Sequence, residues 1–159
     1  MKILMVNKFL YPNGGSETYM FKLGAYLKSI GHEVEYFGME HEGRIVSNSL
    51  DLYTEAMDFH NSSALKKLKL SLKTVYSREA RKKMKKLLDK FEPDVVHLNN
   101  FNFQLTPSII YAVKEKNIAL VETVHDCQIA CPNHRMYIEQ KSENCDACLG
   151  GNYIYFLRN

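Results

Sequence analysis

Short apolar runs alternate along the chain with longer segments whose apolar residues recur every three or four positions. The run Lys2–Val6 ("KILMV") is typical of a central strand buried on both faces of a parallel sheet. Helical spacing follows over Tyr19–Ile30, with Ser16 as the expected N-cap and Gly31 at the left-handed position after the helix. The next β-rich run, Val34–Met39, completes a β-α-β unit, whose helical crossover makes its two strands parallel.

The same alternation continues to the end of the chain. Arg44–Tyr53 is one possible strand at a sheet edge, and Leu65–Phe91 is one long amphipathic helix or two in tandem, ended by Pro93. Three further elements are predicted: a strand at Asp94–Asn99, a helix at Thr106–Asn117 with Pro107 in its first turn, and a strand at Ile118–Asp126. The pattern predicts an α/β protein, a Rossmann-like three-layer sandwich around a mainly parallel sheet, as a single domain over residues 1–159.

Composition narrows the location of the protein. No stretch approaches the roughly 20 consecutive apolar residues that span a bilayer, and the apolar run at the N-terminus is too short for an export signal. A cytoplasmic protein is therefore expected. In that compartment the four cysteines are expected to be thiols or metal ligands rather than disulfides.

The net charge of +3 is modest, but its distribution is uneven. Eleven of the 21 Lys and Arg residues fall within Lys66–Lys90, opposed there by Glu79 and Asp89. Either this is the solvated face of an amphipathic helix, or it docks on an anionic membrane at about 1 kcal/mol per nearby charge. Nucleic acid is not expected, because the sequence carries no binding motif for it and the overall charge is low.

Three polar loops should meet where the strands of such a sheet end, the edge at which α/β proteins bind ligands. They are residues 7–17 ("NKFLYPNGGSE"), 99–104 ("NNFNFQ") and 125–132 ("HDCQIACP"). Gly14 and Gly15 either make a tight turn or let the backbone approach an anion at a helix N-terminus. Their spacing matches neither a dinucleotide fingerprint nor a P-loop.

Two histidines lie near this edge. His125, followed by Asp126 at the end of a predicted inner strand, can hydrogen-bond a substrate hydroxyl or phosphate, although a His-Asp pair can also cap a loop. His97 and Asn99 follow strand alternation, so they share one face and would reach a polar ligand together. The sequence makes these four residues candidate site residues.

The cysteines are spaced like zinc ligands. Cys127-x3-Cys131 and Cys145-x2-Cys148 are separated by thirteen residues, close to the spacing of a four-thiolate site. A bound metal would order a polar loop that cannot form its own core. The alternative is four free thiols.

Taken together, these motifs resemble a known family. The opening strand, "PNGGSE" running into a helix, "PDVVHLNNF", and "TVHDCQIACPN" ahead of "CDACLGG" are similar to the N-terminal domain of family 4 glycosyltransferases, which have the two-domain GT-B fold. The resemblance implies transfer of a sugar from a nucleotide-sugar co-substrate with retention of anomeric configuration, with no metal cofactor required for catalysis. It also implies that this domain chiefly holds the acceptor.

The resemblance assigns roles to individual residues. It implies that Gly14 and Gly15 lie against the donor diphosphate and the acceptor, and that His125, with Asp126, contacts the reacting sugar. Asn99 stands where relatives often carry a histidine or another polar residue on the acceptor side. The "CP...C..C" portion recurs in relatives, which favours three cysteines as ligands, with Cys127, His134 or a downstream residue as the fourth. The favoured three are Cys131, Cys145 and Cys148.

Two functions follow as expectations. The first is the acceptor-binding half of a hexosyltransferase of polysaccharide biosynthesis, inactive alone because the donor-binding domain is absent from this chain. Its acceptor would be a glycan or a lipid-linked sugar, with peripheral docking at the inner membrane face. The alternative is a non-catalytic Rossmann-like module with a zinc-stabilised loop that binds an anionic partner.

Overall fold

A computed structural model describes residues 1–56, 75–131 and 135–146 of the chain. Its main elements are β1 (Lys2–Val6), α1 (Gly15–Ser29), β2 (Glu33–Phe37), α2 (Arg78–Phe91), β3 (Val95–Leu98), α3 (Ser108–Glu115) and β4 (Ala119–Glu122). The four strands form one parallel sheet in the order β2-β1-β3-β4. The predicted α/β class with a parallel sheet is confirmed, and β1 is an inner strand as expected.

Helices cover both faces of this sheet. Leu4 and Val6 pack with α2 and α3 on one side, while Ile3 and Met5 pack with α1 on the other. Because successive side chains of a strand point to opposite faces, a strand covered on both sides must be apolar at every position. The apolar residues Ile3–Val6 of β1 therefore reflect the three-layer arrangement.

The start of α1 differs from the prediction. The helix begins at Gly15 with Gly14 as its N-cap, so the expected N-cap role of Ser16 is wrong. Instead, the Ser16 hydroxyl accepts a hydrogen bond of 3.1 Å from the side chain of Asn100, which is a tertiary contact. The other end agrees with the prediction, since Gly31 follows the helix with a left-handed φ of 89°.

The predicted strand at Arg44–Tyr53 is also wrong, although the segment does lie beside the edge strand β2. The only β pairing described there is an isolated bridge between Met39 and Thr54. The Asn48 side chain donates to the carbonyls of Tyr36 and Leu52 and accepts from two backbone N–H groups of its own loop. These local bonds satisfy backbone groups that a strand would pair in a ladder.

Helix α2 has well-defined ends. The Ser77 hydroxyl accepts the Ala80 N–H at 3.1 Å as an N-cap, and Glu92 adopts a left-handed conformation just before Pro93. Residues 57–74, which hold most of the N-terminal part of the predicted long helix, lie outside the described residues. The alternative of one unbroken helix over Leu65–Phe91 is wrong, because α2 begins at Arg78 behind its own N-cap.

The chain divides into two compact units, Met1–Thr123 and Val124–Asn159. The first contains the sheet and its helices. In the second, a 3-10 turn at Cys127–Ile129 precedes a small antiparallel pair, β5 (Tyr137–Ile138) and β6 (Glu143–Asn144), linked through a 3-10 turn at Glu139–Lys141. No helix among the described residues has the length and apolar character needed to cross a membrane.

Candidate functional site

Two of the three predicted loops meet at the carboxyl end of the sheet. We call residues 7–15 the glycine loop and residues 99–107 the β3 loop. The Lys8 N–H donates to the Asn100 carbonyl at 2.7 Å, and the Asn100 side chain donates to Ser16 at the start of α1. The third loop, from residue 125, belongs to the second unit, and its meeting with the other two stays a prediction.

A buried asparagine joins these two loops. Asn7, directly after β1, donates from its side chain to the Phe9 carbonyl and to a carboxylate oxygen of Glu17, each at 2.8 Å. Its amide oxygen accepts the Asn100 N–H at 2.9 Å. Sequence reasoning missed both Asn7 and Glu17. The available signals were a polar residue immediately after a buried strand and an acidic residue in the first turn of a helix.

Gly14 and Gly15 are exposed at the N-terminus of α1, and neither adopts a left-handed φ. A side chain at Gly15 would meet no heavy atom within 4 Å, and one at Gly14 would meet only the Glu17 carboxylate, at 3.3 Å. The backbone conformation at these two positions is therefore open to other residues, and a tight turn does not explain why both are glycine. They leave open space beside the unpaired N–H groups of a helix N-terminus, where a polar or anionic ligand group can approach.

His97 and Asn99 both make contacts within the first unit. The His97 ring lies 2.7 Å from the Thr123 hydroxyl and edge-on to the Tyr19 ring, at 6.4 Å between centroids. The Asn99 side chain is 2% exposed and donates to the Val6 carbonyl at 3.4 Å. In this structure both residues hold the sheet edge together, and their role in acceptor binding stays a prediction.

His125 and Asp126 lie in the second unit, beyond the last residue of β4, Glu122. In the described sheet β4 is an outer strand, so their expected position at the end of an inner strand is wrong. The Asp126 carboxylate accepts the Gln128 N–H at 2.8 Å and caps the 3-10 turn. The capping role is thus present in the structure. His125 is half-buried, and the catalytic role of the pair stays a prediction.

Of the described cysteines, Cys131 is buried, and Cys127 and Cys145 are half-buried. Within the parts of the chain that the structure describes, no three His, Cys, Asp or Glu side chains gather as metal ligands would. Cys148 and His134 lie outside those parts. The described donors alone do not make a zinc site, and the predicted set with Cys148 stays a prediction.

Helix α2 carries a basic groove of about 570 Å³ on its exposed side. Its lining residues are Tyr76, Arg78, Arg81, Lys82, Lys85, Lys86 and Asp89. Arg81 and Lys85 form ion pairs with Glu115, and the hydrogen bonds from Lys85 and Arg81 lower the pKa of that carboxyl. Asp89 pairs with Lys116. These contacts neutralise only the side of the groove next to α3.

A stripe of four cations remains on the outer surface of α2. Arg78, Lys82, Lys86 and Lys90 follow one another at four-residue spacing, and all are exposed. Among the described residues none of the four forms an ion pair. We call these four residues the basic stripe. Their positive charges therefore add to one another on this surface.

Several known proteins are similar to this chain. The C-terminal domain of a hydrogenase from Pyrococcus furiosus aligns with a TM-score of 0.51 at 19% identity, over 77% of this chain and 90% of that one. The glycosyltransferase VinC, in complex with DTDP, aligns at 0.47 and 18% identity, over 78% of this chain and 34% of its own. SsfS6, a glycosyltransferase of Streptomyces sp. SF2575, aligns at 0.46 and 16% identity, over 79% and 40%.

These structural likenesses concern the fold alone, and the chain spans only 34% and 40% of the length of the two glycosyltransferases. No curated protein gives a significant match to the sequence. Comparison with family models is more specific. The model described as Glycosyltransferase Family 4 matches residues 13–147. The matched range includes Gly14 and Gly15, His97 and His125, and every cysteine of the predicted zinc site except Cys148. The chain therefore belongs to glycosyltransferase family 4.

Proposed function

We propose that this chain is the acceptor-binding half of a retaining, GT-B-type hexosyltransferase that uses a nucleotide-sugar donor. The observation that carries the proposal is the family match over residues 13–147. The open surface at Gly14 and Gly15, beside two polar loops at the ligand-binding edge of the sheet, supports it. Another domain would bind most of the nucleotide, so the isolated chain would not transfer sugar.

In this proposal each site residue has a defined role. The backbone of Gly14 and Gly15 faces the donor diphosphate and the acceptor. His125 contacts the reacting sugar, and Asp126 orients the turn that follows it through its bond to Gln128. His97 and Asn99 shape the acceptor side. The acceptor is a glycan or a lipid-linked sugar of a polysaccharide pathway, and no metal takes part in the transfer.

The test is a transfer assay with the complete transferase, using a panel of nucleotide sugars and of glycan and lipid-linked acceptors. The expected product has the anomeric configuration of the donor sugar, which proton NMR of the product measures. The 159-residue chain alone should bind acceptor but release no product. An inverted product would contradict the retaining mechanism, and a complete protein that binds polyanions but transfers nothing would favour the non-catalytic module.

The basic stripe supports a second part of the proposal, docking on an anionic membrane at the cytoplasmic face. Two charges near a surface contribute about 2 kcal/mol, or roughly 30-fold in affinity. We therefore expect Lys82→Gln with Lys86→Gln to weaken binding to phosphatidylserine vesicles about 30-fold at low salt. Co-sedimentation with vesicles measures this affinity.

The matched control for the stripe removes two exposed lysines elsewhere in the first unit, Lys22→Gln with Lys114→Gln. Both double variants lower the net charge by the same amount. Equal weakening by the two would show that only net charge matters and would contradict docking through α2.

We also propose the structural zinc, with Cys131, Cys145 and Cys148 as three of its thiolate ligands. Protein purified without chelator is expected to contain about one zinc per chain by elemental analysis. Cys131→Ser should abolish this content, whereas Cys127→Ser should do so only if Cys127 is the fourth ligand. A metal-free protein with a protease-resistant segment over residues 124–159 would contradict the site.

A further inference from the structure

A carboxylate is buried at the base of the glycine loop. Glu17 is 2% exposed and Asn7 is fully buried, yet both are polar and one carries an ionisable group. Burying a carboxylate is costly unless hydrogen bonds and a favourable local field compensate. Both compensations are present here, because Asn7 donates to Glu17 and the carboxylate sits in the first turn of α1, at the positive end of the helix dipole.

The two oxygens of the Glu17 carboxylate have different neighbours in the glycine loop. One oxygen, Oε1, accepts from Asn7 at 2.8 Å. The other, Oε2, lies 3.3 Å from the position that a Cβ at Gly14 would take. The carboxylate therefore lies next to Gly14 and leaves the space beside Gly15 open.

Asn7 connects this carboxylate to two other parts of the edge. Its side-chain nitrogen donates to both Glu17 and the Phe9 carbonyl, and its oxygen accepts the Asn100 N–H. An asparagine side chain has two N–H donors and one carbonyl oxygen, so both donors and the acceptor are used. No aliphatic residue of the same size can join these three elements.

We infer that Asn7 and Glu17 are positioning residues that hold the glycine loop in its ligand-ready conformation before the sugar substrates bind. The inference rests on the proposed transferase function and adds to it the residues that prepare the site. Glycine pairs are the most flexible backbone units, and ordering them on binding would weaken affinity. A loop that is already fixed by a buried hydrogen-bonded pair avoids that loss.

The first experiment measures amide hydrogen exchange in the 159-residue chain. Asn7→Asp removes the donor to Glu17 and places two carboxylates against each other, so exchange should rise at least tenfold at residues 14–18. Glu17→Gln keeps an oxygen acceptor at the same place and should stay within threefold of wild type. Combining Asn7→Asp with Glu17→Gln restores a donor and an acceptor in exchanged order, so exchange should return toward wild type.

The matched control is Asn48→Asp, a change at a second buried asparagine that bonds to Tyr36 and Leu52 instead. It should leave exchange at residues 14–18 unchanged. Glu17→Ala removes the acceptor without adding charge, and it should reproduce the Asn7→Asp signature even if that variant does not fold. Unchanged exchange at the glycine loop in Glu17→Ala, or an equal rise in Asn48→Asp, would overturn the inference.

The second experiment separates positioning from a purely structural role. In the complete transferase, Asn7→Asp and Glu17→Ala should raise KM for the acceptor at least tenfold, with a smaller change in kcat, and Glu17→Gln should restore KM. Altered exchange with an unaltered KM would overturn the positioning role. If the wild-type complete protein shows no transfer, the proposed function fails, while the exchange experiment still decides whether the pair orders the loop.

Discussion

His125→Ala is expected to lower kcat/KM of the complete transferase at least 100-fold without unfolding the protein. A side chain that bonds to or exchanges a proton with the reacting group typically contributes 100- to 10,000-fold to the rate. A 100-fold loss corresponds to about 2.7 kcal/mol of transition-state stabilisation. Because His125 is only half-buried, its truncation leaves no large cavity in the sheet core. Steady-state kinetics, with circular dichroism to confirm folding, measures the effect.

His32→Ala is the matched control for this substitution. His32 lies just before β2, at the opposite edge of the sheet from the glycine loop, and its ring is 3.4 Å from the N-terminal ammonium group. Its loss should change kcat/KM less than twofold. Activity retained in His125→Ala, or lost equally in His32→Ala, would remove His125 from the mechanism.

The central strand β1 was predictable because it is covered on both faces. Residues Ile3–Val6 are all apolar and buried, and β1 pairs with β2 over residues 2–6 and with β3 over residues 3–6. The exact ends of the strands were not predictable in the same way. The β-rich sequence pattern continues past Glu122. The neighbouring strand β3 ends at Leu98, however, so the pairing of β4 with β3 stops at Glu122. The strand predicted to end at Asp126 therefore ends at Glu122, and His125 and Asp126 lie beyond it.

The other differences also arise from contacts between distant parts of the chain. Ser16 has the residue type of an N-cap, yet Asn100, 84 positions away, uses its hydroxyl. Residues 44–53 have strand-like composition, but Asn48 takes up the hydrogen bonds that would direct them into a ladder. Local patterns carry no information on such partners. For the same reason, the glycines could be identified from their residue type, whereas the buried pair of Asn7 and Glu17 could not.

Gly38→Ala should lower the free energy of unfolding by about 3 kcal/mol. A Cβ at Gly38 would lie 2.3 Å from the Asn7 carbonyl oxygen and 2.7 Å from Cγ of Leu10. The backbone cannot easily retreat, because the Asn7 N–H bonds to the Phe37 carbonyl and the Thr54 N–H bonds to the Gly38 carbonyl. Overpacking typically costs 1–3 kcal/mol, and a clash with hydrogen-bonded backbone falls at the upper end.

Gly15→Ala is the matched control for that prediction, since its Cβ would meet nothing within 4 Å and alanine is a better helix former. Its free energy of unfolding should equal or exceed that of wild type by up to about 1 kcal/mol, measured by urea denaturation. Gly38→Ala should also speed amide exchange at residues 14–18, because the displaced carbonyl belongs to Asn7, which anchors the glycine loop. Equal free energies of unfolding for the two variants would contradict the prediction. They would show that the backbone around Asn7 moves at little cost to make room for a methyl group at Gly38.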